Sequence, residues 1–221
     1  MIVLAIDTAG VDCSAALYDS AGGQVLSAVT DAIGKGHAER LMAVIDEALE
    51  EAGLALRSVE RVAVVIGPGS FTGIRVGVAT ARGLALALGV DCVGVTTLET
   101  LAQRYLVDPP DKPVLAAMDA KRNEVYTQAF SRSGEPLTEP AALSPDEVSA
   151  LAEKLGAALT GSWATSPEEK LQDAFEGRDR FDIRTVARLG AQKTVDGQRP
   201  KPLYLRGPDA KPQTGFALAR A

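Results

Sequence analysis

The sequence predicts an α/β protein built from two ribonuclease-H-like lobes, the second reduced. Three observations carry this prediction. Apolar strands at 2–7 and 115–119 each end in an aspartate, Asp7 and Asp119, and each leads through a turn into a new strand. The two aspartates lie 112 residues apart, and at that offset 125–130 falls on 13–18. The first copy then runs on as strands followed by α-β-α-β-α, the order of a mixed sheet covered by helices. Pro109-Pro110-Asp-Lys-Pro113 separates the copies, dividing the chain into a lobe at 1–107, a smaller degenerate lobe at 113–206 and a tail at 207–221 without periodicity.

Taken in order, 2–7, 13–18 and 24–30 read as an antiparallel meander, the second turn marked by Asp19-Ser-Ala-Gly-Gly23. Leu41, Val44, Ile45, Ala48 and Leu49 share one face of a helix at 38–51 that stops near Gly53. A strand at 62–66, a glycine-rich loop, a helix at 73–88, a strand at 91–95 and a helix at 97–105 complete the first lobe. In the second half, Ser144-Pro145 opens a helix to about 155, with proline suited to the first turn. A short strand at 157–160, a helical piece at 166–175, a helix at 182–195 and an extended closing segment at 200–206 follow.

Composition narrows the function classes. The 221 residues are 46% hydrophobic, enough for a well-packed core, and no apolar run approaches the ~20 residues of a membrane span. Met1 leads directly into a strand with no basic leader, so a cytoplasmic protein is expected. A net charge of −6 and a pI near 4.9 speak against this chain gripping nucleic acid unaided. Cys13 and Cys92, in strand-like runs, are expected as reduced core thiols. His37 is the single histidine, which excludes a multi-histidine metal site; a helix-entry role or an exposed side chain is expected of it.

The chain is organised around Gly67-Pro-Gly-Ser-Phe-Thr-Gly-Ile-Arg-Val-Gly77. This stretch lacks the lysine of a P-loop, and its glycine spacing departs from the dinucleotide fingerprint by one residue. Gly69, Gly73, Gly77 and Ala81 recur every four residues and form one bare stripe. Glycine inside a helix costs roughly 0.5–1 kcal/mol relative to alanine, so another backbone must come close. It belongs either to this chain or to a partner. Arg75 and Arg82 share a side of the helix and could meet an anion, a partner carboxylate or only solvent. Asp7 and Asp119 could together hold a magnesium-bound phosphate between lobes, or merely accept turn amides. Lys121-Arg122 is a basic spot too small to read as nucleic-acid binding.

Asp7-Thr8, the stretch 67–77, Thr96-Thr-Leu-Glu-Thr-Leu101, Met118-Asp-Ala-Lys-Arg-Asn-Glu-Val-Tyr126 and Pro202-Leu-Tyr-Leu-Arg206 together resemble the bacterial TsaB (YeaZ) proteins. The resemblance spans about 1–206. It implies the two-lobed fold of the actin-like, sugar-kinase and Hsp70 ATPase superfamily. It also implies a part in forming threonylcarbamoyladenosine next to the anticodon of tRNA. The catalytic, metal-binding subunit would be the paralogue TsaD, with TsaE as an ATP-hydrolysing partner. In TsaD the equivalent of 96–101 carries two metal-binding histidines; Thr97 and Leu101 stand in their places here. The implied role is a non-catalytic scaffold that reaches tRNA only through the complex, with no metal and no membrane.

The resemblance assigns pairing, with TsaD or with a second copy when TsaD is absent, to Ser70, Phe71, Thr72, Gly73, Arg75, Val76, Gly77, Thr80 and Ala81. Nucleotide is expected not to bind tightly to this chain alone, and ATP or ADP with magnesium would belong to the joint of the complex. Asp7, Thr8, Gly67, Gly69 and Asp119 are the residues that could touch it. Two departures from the family pattern, Ala9 where serine is usual and His37-Ala-Glu without its serine, weigh against nucleotide in the first lobe. The alternative is a weak ATPase acting alone. A peptidase finds no nucleophile–base pair.

Overall fold

The computed structural model describes residues 1–106, 111–163, 180–195 and 197–206. The helical piece expected at 166–175 and the tail at 207–221 lie outside them.

Two sheets form the framework. In the first, β1 (Ile2–Asp7) pairs antiparallel with β2 (Asp12–Asp19), which pairs with β3 (Gln24–Ala32). After helix α1 (His37–Glu51), β4 (Arg61–Gly67) lies parallel to β1, and β5 (Asp91–Thr96) lies parallel to β4, giving the order β3-β2-β1-β4-β5. β1 and β4 are central and buried on both faces, which is why they read as continuous apolar runs rather than alternating ones. Helix α2 (Phe71–Leu88) connects β4 to β5, and α3 (Thr97–Leu106) follows β5.

The second sheet joins β6 (Val114–Asp119), β7 (Val125–Phe130), β8 (Ala141–Leu143) and β9 (Ala158–Thr160) in the order β8-β7-β6-β9. This repeats β3-β2-β1-β4, with β9 parallel to β6 as β4 is to β1. Helix α4 (Pro145–Leu155) takes the place of α1, its start fixed by a capping box between Ser144 and Glu147. The internal repeat is therefore real in the fold, with one refinement. Asp7 pairs with Ser14 but Asp119 pairs with Val125, so the second turn is one residue shorter and the offset slips by one after it. Strand β8 carried too little sequence signal to be expected.

Helix α5 (Ile183–Gln192) lies within 113–206 but packs on the first sheet, against β1, β2, β4 and β5. It covers the opposite face from α2: a side chain at Gly190 would meet Ala63, whereas one at Gly77 would meet Val64, its neighbour on β4. Arg61 of β4 donates to the carbonyls of Gly190, Ala191 and Lys193, supplying a cation and donors to the last turn of α5. Helix α3 touches both sheets. Its Leu98, Leu101 and Ala102 join Val114, Ala116 and Met118 in one core, while Leu115, Ala117 and Val148 form a smaller core under α4.

Candidate functional site

The glycine-rich stretch begins where β4 ends. Gly67 turns the chain with φ of 100°, a conformation side chains resist. Ser70 caps α2, its hydroxyl accepting from Gly73 N at 3.2 Å. Ser70 N donates to Ala9 O at 2.7 Å. Two amides that would line a phosphate cradle are thus used inside the chain.

The glycine stripe faces the turn after β1. Side chains at Gly69 and Gly73 would run into the carbonyls of Ala9 and Thr8, and one at Gly77 would meet the Thr8 hydroxyl at 2.5 Å. That hydroxyl donates to Gly73 O at 2.7 Å. The close backbone belongs to this chain. The expectation that Gly73, Gly77 and Ala81 meet a partner is corrected: all three are buried, and the bare stripe lets α2 lie on the Asp7–Ala9 turn.

The other face of α2 is uncovered. Ser70, Phe71, Thr72 and Arg75 are exposed there, and Val76 and Thr80 are half-buried. Sequence reasoning missed the rest of this face: Ala79, Gly83, Leu86 and Ala87, with Leu86 68% exposed. Their 3–4-residue spacing was the available signal, overshadowed by the glycines. At 18 residues and a mean hydropathy of 1.3, α2 has the length and apolarity to cross a membrane, contrary to expectation, yet it lies on the first sheet with a third of it buried. At its start, Arg75 stacks 3.7 Å over the Phe71 ring and donates from Nε to the Tyr204 hydroxyl at 2.8 Å. Phe71 and Tyr204 are 52% and 44% exposed, their rings 5.2 Å apart. Tyr204 was not among the expected site residues.

The residues expected at a nucleotide are not gathered at one open site. Asp7 and Thr8 are 0% and 1% exposed, and Gly67 is also buried; Gly69 and Asp119 are at the surface. Asp7 Oδ1 accepts from Ala9 N at 2.8 Å, while Oδ2 has no partner among the described residues. Desolvation pushes the Asp7 carboxyl up to about 7, only partly opposed by the Ala9 amide and reinforced by Asp12. Ser14, directly opposite Asp7 on β2, has an equally orphaned hydroxyl. With the Thr8 hydroxyl and the amides of Ser70 and Gly73 engaged internally and Asp7 buried, the Asp7–Ala9 turn offers no open place for a magnesium-bound phosphate. Among the described residues, no group of three His, Cys, Asp or Glu side chains could hold a metal.

Thr97 and Leu101 have structural duties. The Thr97 hydroxyl donates to Pro68 O at 2.7 Å, tying α3 to the glycine-rich loop, and Leu101 is in the core. His37 opens α1, buried, with Nε2 3.2 Å from the Asp12 carbonyl. Cys13 and Cys92 are free thiols, both pushed up to about 11 chiefly by burial, which makes them poor nucleophiles.

Residues 25–181 match the family described as TsaD: tRNA N6-adenosine threonylcarbamoyltransferase. Over 170 residues the chain is 35% identical to the tRNA threonylcarbamoyladenosine biosynthesis protein TsaB of Escherichia coli (strain K12), spanning 75% of this chain and 70% of that protein. It is 36% identical over 126 residues to the protein of the same name from Haemophilus influenzae, spanning 57% of this chain and about half, 52%, of that relative. In fold it is similar to an uncharacterized Pseudomonas aeruginosa protein with similarity to peptidase YEAZ, with a TM-score of 0.73, 30% identity and coverage of 93% of this chain and 99% of that one. Matched over most of its length in sequence and nearly all of it in fold, the chain belongs to the TsaB (YeaZ) family of tRNA threonylcarbamoyladenosine biosynthesis proteins.

Proposed function

We propose that this chain is the non-catalytic pairing subunit of the complex that forms threonylcarbamoyladenosine next to the anticodon in tRNA. It docks through the outward face of α2 on a metal-binding TsaD-like catalytic subunit, and on a second copy of itself when that subunit is absent. A TsaE-like ATPase joins the complex in the cytoplasm, and tRNA is reached only through the assembly. ATP or ADP with magnesium belongs to the joint between subunits.

The observation that carries this reading is the uncovered face of α2. Thr72, Val76, Ala79, Thr80, Gly83, Leu86 and Ala87 make a strip of small and apolar side chains, flanked at its start by Phe71, Arg75 and Tyr204. Small side chains admit a close helix, and exposed aromatic residues with arginine are the usual anchors of an interface. The structural employment of Thr97 and Leu101 supports a silent role for the segment where TsaD carries its histidines.

Co-purification with the catalytic paralogue, followed by threonylcarbamoyl transfer to tRNA with and without this chain, tests the reading. The lone chain transfers nothing and the pair is active; transfer by the lone chain overturns it. Ala79→Arg, on the exposed face, weakens association about tenfold or more while the thermal midpoint of the lone chain holds. Tight Mg-ATP binding and turnover by the lone chain would favour an independent ATPase.

A further inference from the structure

The closing segment joins four parts of the molecule in four consecutive residues. Leu203 N donates to Ile66 O at 2.8 Å, at the end of β4. Gly67 leaves room for this contact, since a side chain there would stand 3.2 Å from the Leu203 carbonyl. Tyr204 reaches the start of α2, accepting from Arg75 and tilting against Phe71. Leu205 packs on the main core. Arg206 crosses to the second lobe, where Nε donates to Glu124 Oε2 at 2.7 Å and Nη2 reaches the same carboxylate. Nη2 also donates to Ala120 O at 3.3 Å and Lys121 O at 3.4 Å.

The β6–β7 turn that Arg206 grips is unusual in its backbone. Lys121, Arg122 and Asn123 are all left-handed, with φ of 61°, 55° and 60°. Within the turn Ala120 N donates to Glu124 O, Glu124 N to Lys121 O, and Lys121 N to Asp119 Oδ1 at 2.8 Å. A run of three left-handed side-chain-bearing residues holds its shape only when its surroundings over-determine it. Arg206 is placed to do that, bridging a carboxylate and two carbonyls of one turn with a planar fork.

We propose that Leu203–Arg206 is an interlobe latch. It holds the left-handed turn of the second lobe in shape and couples it, through Tyr204 and Arg75, to the first turn of α2. The state of the second-lobe turn and the arrangement of the exposed Phe71–Arg75–Tyr204 cluster then change together. A binding event at either end alters the other. This goes beyond the pairing role, because it links the outward face of α2 to a surface of the other lobe.

Amide hydrogen exchange on the full chain tests the latch without any partner, so its outcome is separate from that of the docking reading. Arg206→Ala speeds exchange at Ala120 and Glu124 about tenfold or more, with β1 and β4 unchanged. Arg206→Lys gives nearly the same acceleration, since one ammonium cannot bridge the three acceptors. Should Arg206→Ala fail to fold, Glu124→Gln, which keeps the side chain's shape, produces the same local effect. Tyr204→Phe, which removes only the hydroxyl, speeds the same two amides about threefold. Unchanged exchange at Ala120 and Glu124 in the Arg206 variants overturns the latch, as does acceleration spread evenly through both lobes. Acceleration by Arg206→Ala but none by Tyr204→Phe overturns the coupling to α2.

Discussion

The two aspartate turns start from the same local chemistry and end in opposite environments. Asp7 Oδ1 accepts from Ala9 N at 2.8 Å, and Asp119 Oδ1 accepts from Lys121 N at 2.8 Å, the same side-chain-to-backbone bond two residues on. Yet Asp7 is 0% exposed and Asp119 is at the surface. The difference is α2. In the first lobe this helix lies on the turn, its glycines admitting the carbonyls of Thr8 and Ala9. In the second lobe Asp119 and the turn residues Lys121, Arg122 and Asn123 are exposed. That turn is one residue shorter, takes three left-handed residues at about 1–2 kcal/mol each, and is gripped by Arg206 instead. A strand ending in aspartate therefore does not define a site; what covers the turn decides whether the carboxylate is buried ballast or accessible chemistry.

The largest test of this contrast places a side chain between α2 and the first turn. Gly73→Leu drives carbon into the Thr8 carbonyl, backbone that cannot rotate away. Denaturant unfolding is expected to reveal a loss of about 3 kcal/mol or more, enough to unfold much of the protein. Gly77→Leu meets the Thr8 hydroxyl and costs somewhat less, about 1–3 kcal/mol. A folded, fully stable Gly73→Leu would place the close backbone elsewhere.

Next in size is the charge on Asp7. Its ordinary value of 3.8 applies in the unfolded chain, and burial raises it to about 7 in the folded one. The folded state holds the proton more tightly, so stability is fully present below pH 3.8, falls as pH rises toward 7, and is level above that. Asp7→Asn keeps an acceptor for Ala9 N and carries no charge to bury. The variant should match the wild type near pH 4 and exceed it at pH 8 by about 2–4 kcal/mol, read from urea midpoints across pH. Parallel pH profiles for the two proteins would mean Asp7 is not a buried neutral acid.

How much of this was legible in the sequence depends on the range of each interaction. The repeat was visible because an apolar run ending in aspartate is a local pattern, and it survived a one-residue slip in the second turn. The four-residue glycine spacing announced a close backbone but could not say whose; the answer, Thr8, lies 65 residues from Gly73. The apolar face of the α5 helix was readable, but not which sheet it would choose, and it chose the lobe it does not follow in sequence. Tyr204 and Arg75 are 129 residues apart, so nothing local pointed to their bond. The candidate docking face shifted accordingly, from the glycines to the small and apolar side chains opposite them.

The second turn offers a gentler test with the opposite sign. Lys121 is exposed, left-handed and bonded through its main chain. Lys121→Gly relieves the conformational penalty but loosens the unfolded chain, leaving a gain of about 0.5–1 kcal/mol in thermal or chemical unfolding. A loss of stability would mean that the surroundings favour the side chain more than the backbone resents it.

The smallest effect compares glycines within α2 itself. Gly83 is exposed, sits inside the helix, and a side chain there would meet nothing within 4 Å. It faces away from the first turn, and among the described residues no close backbone explains it. Gly83→Ala should stabilise the lone chain by about 0.5–1 kcal/mol through helix propensity, the reverse of Gly73→Leu nearly three turns earlier. The pairing reading adds a second measurement. If a partner helix needs the bare surface at Gly83, then Gly83→Leu, harmless to the lone chain, weakens association with the TsaD-like subunit; equal association would remove Gly83 from the docking face and leave its glycine without a structural reason.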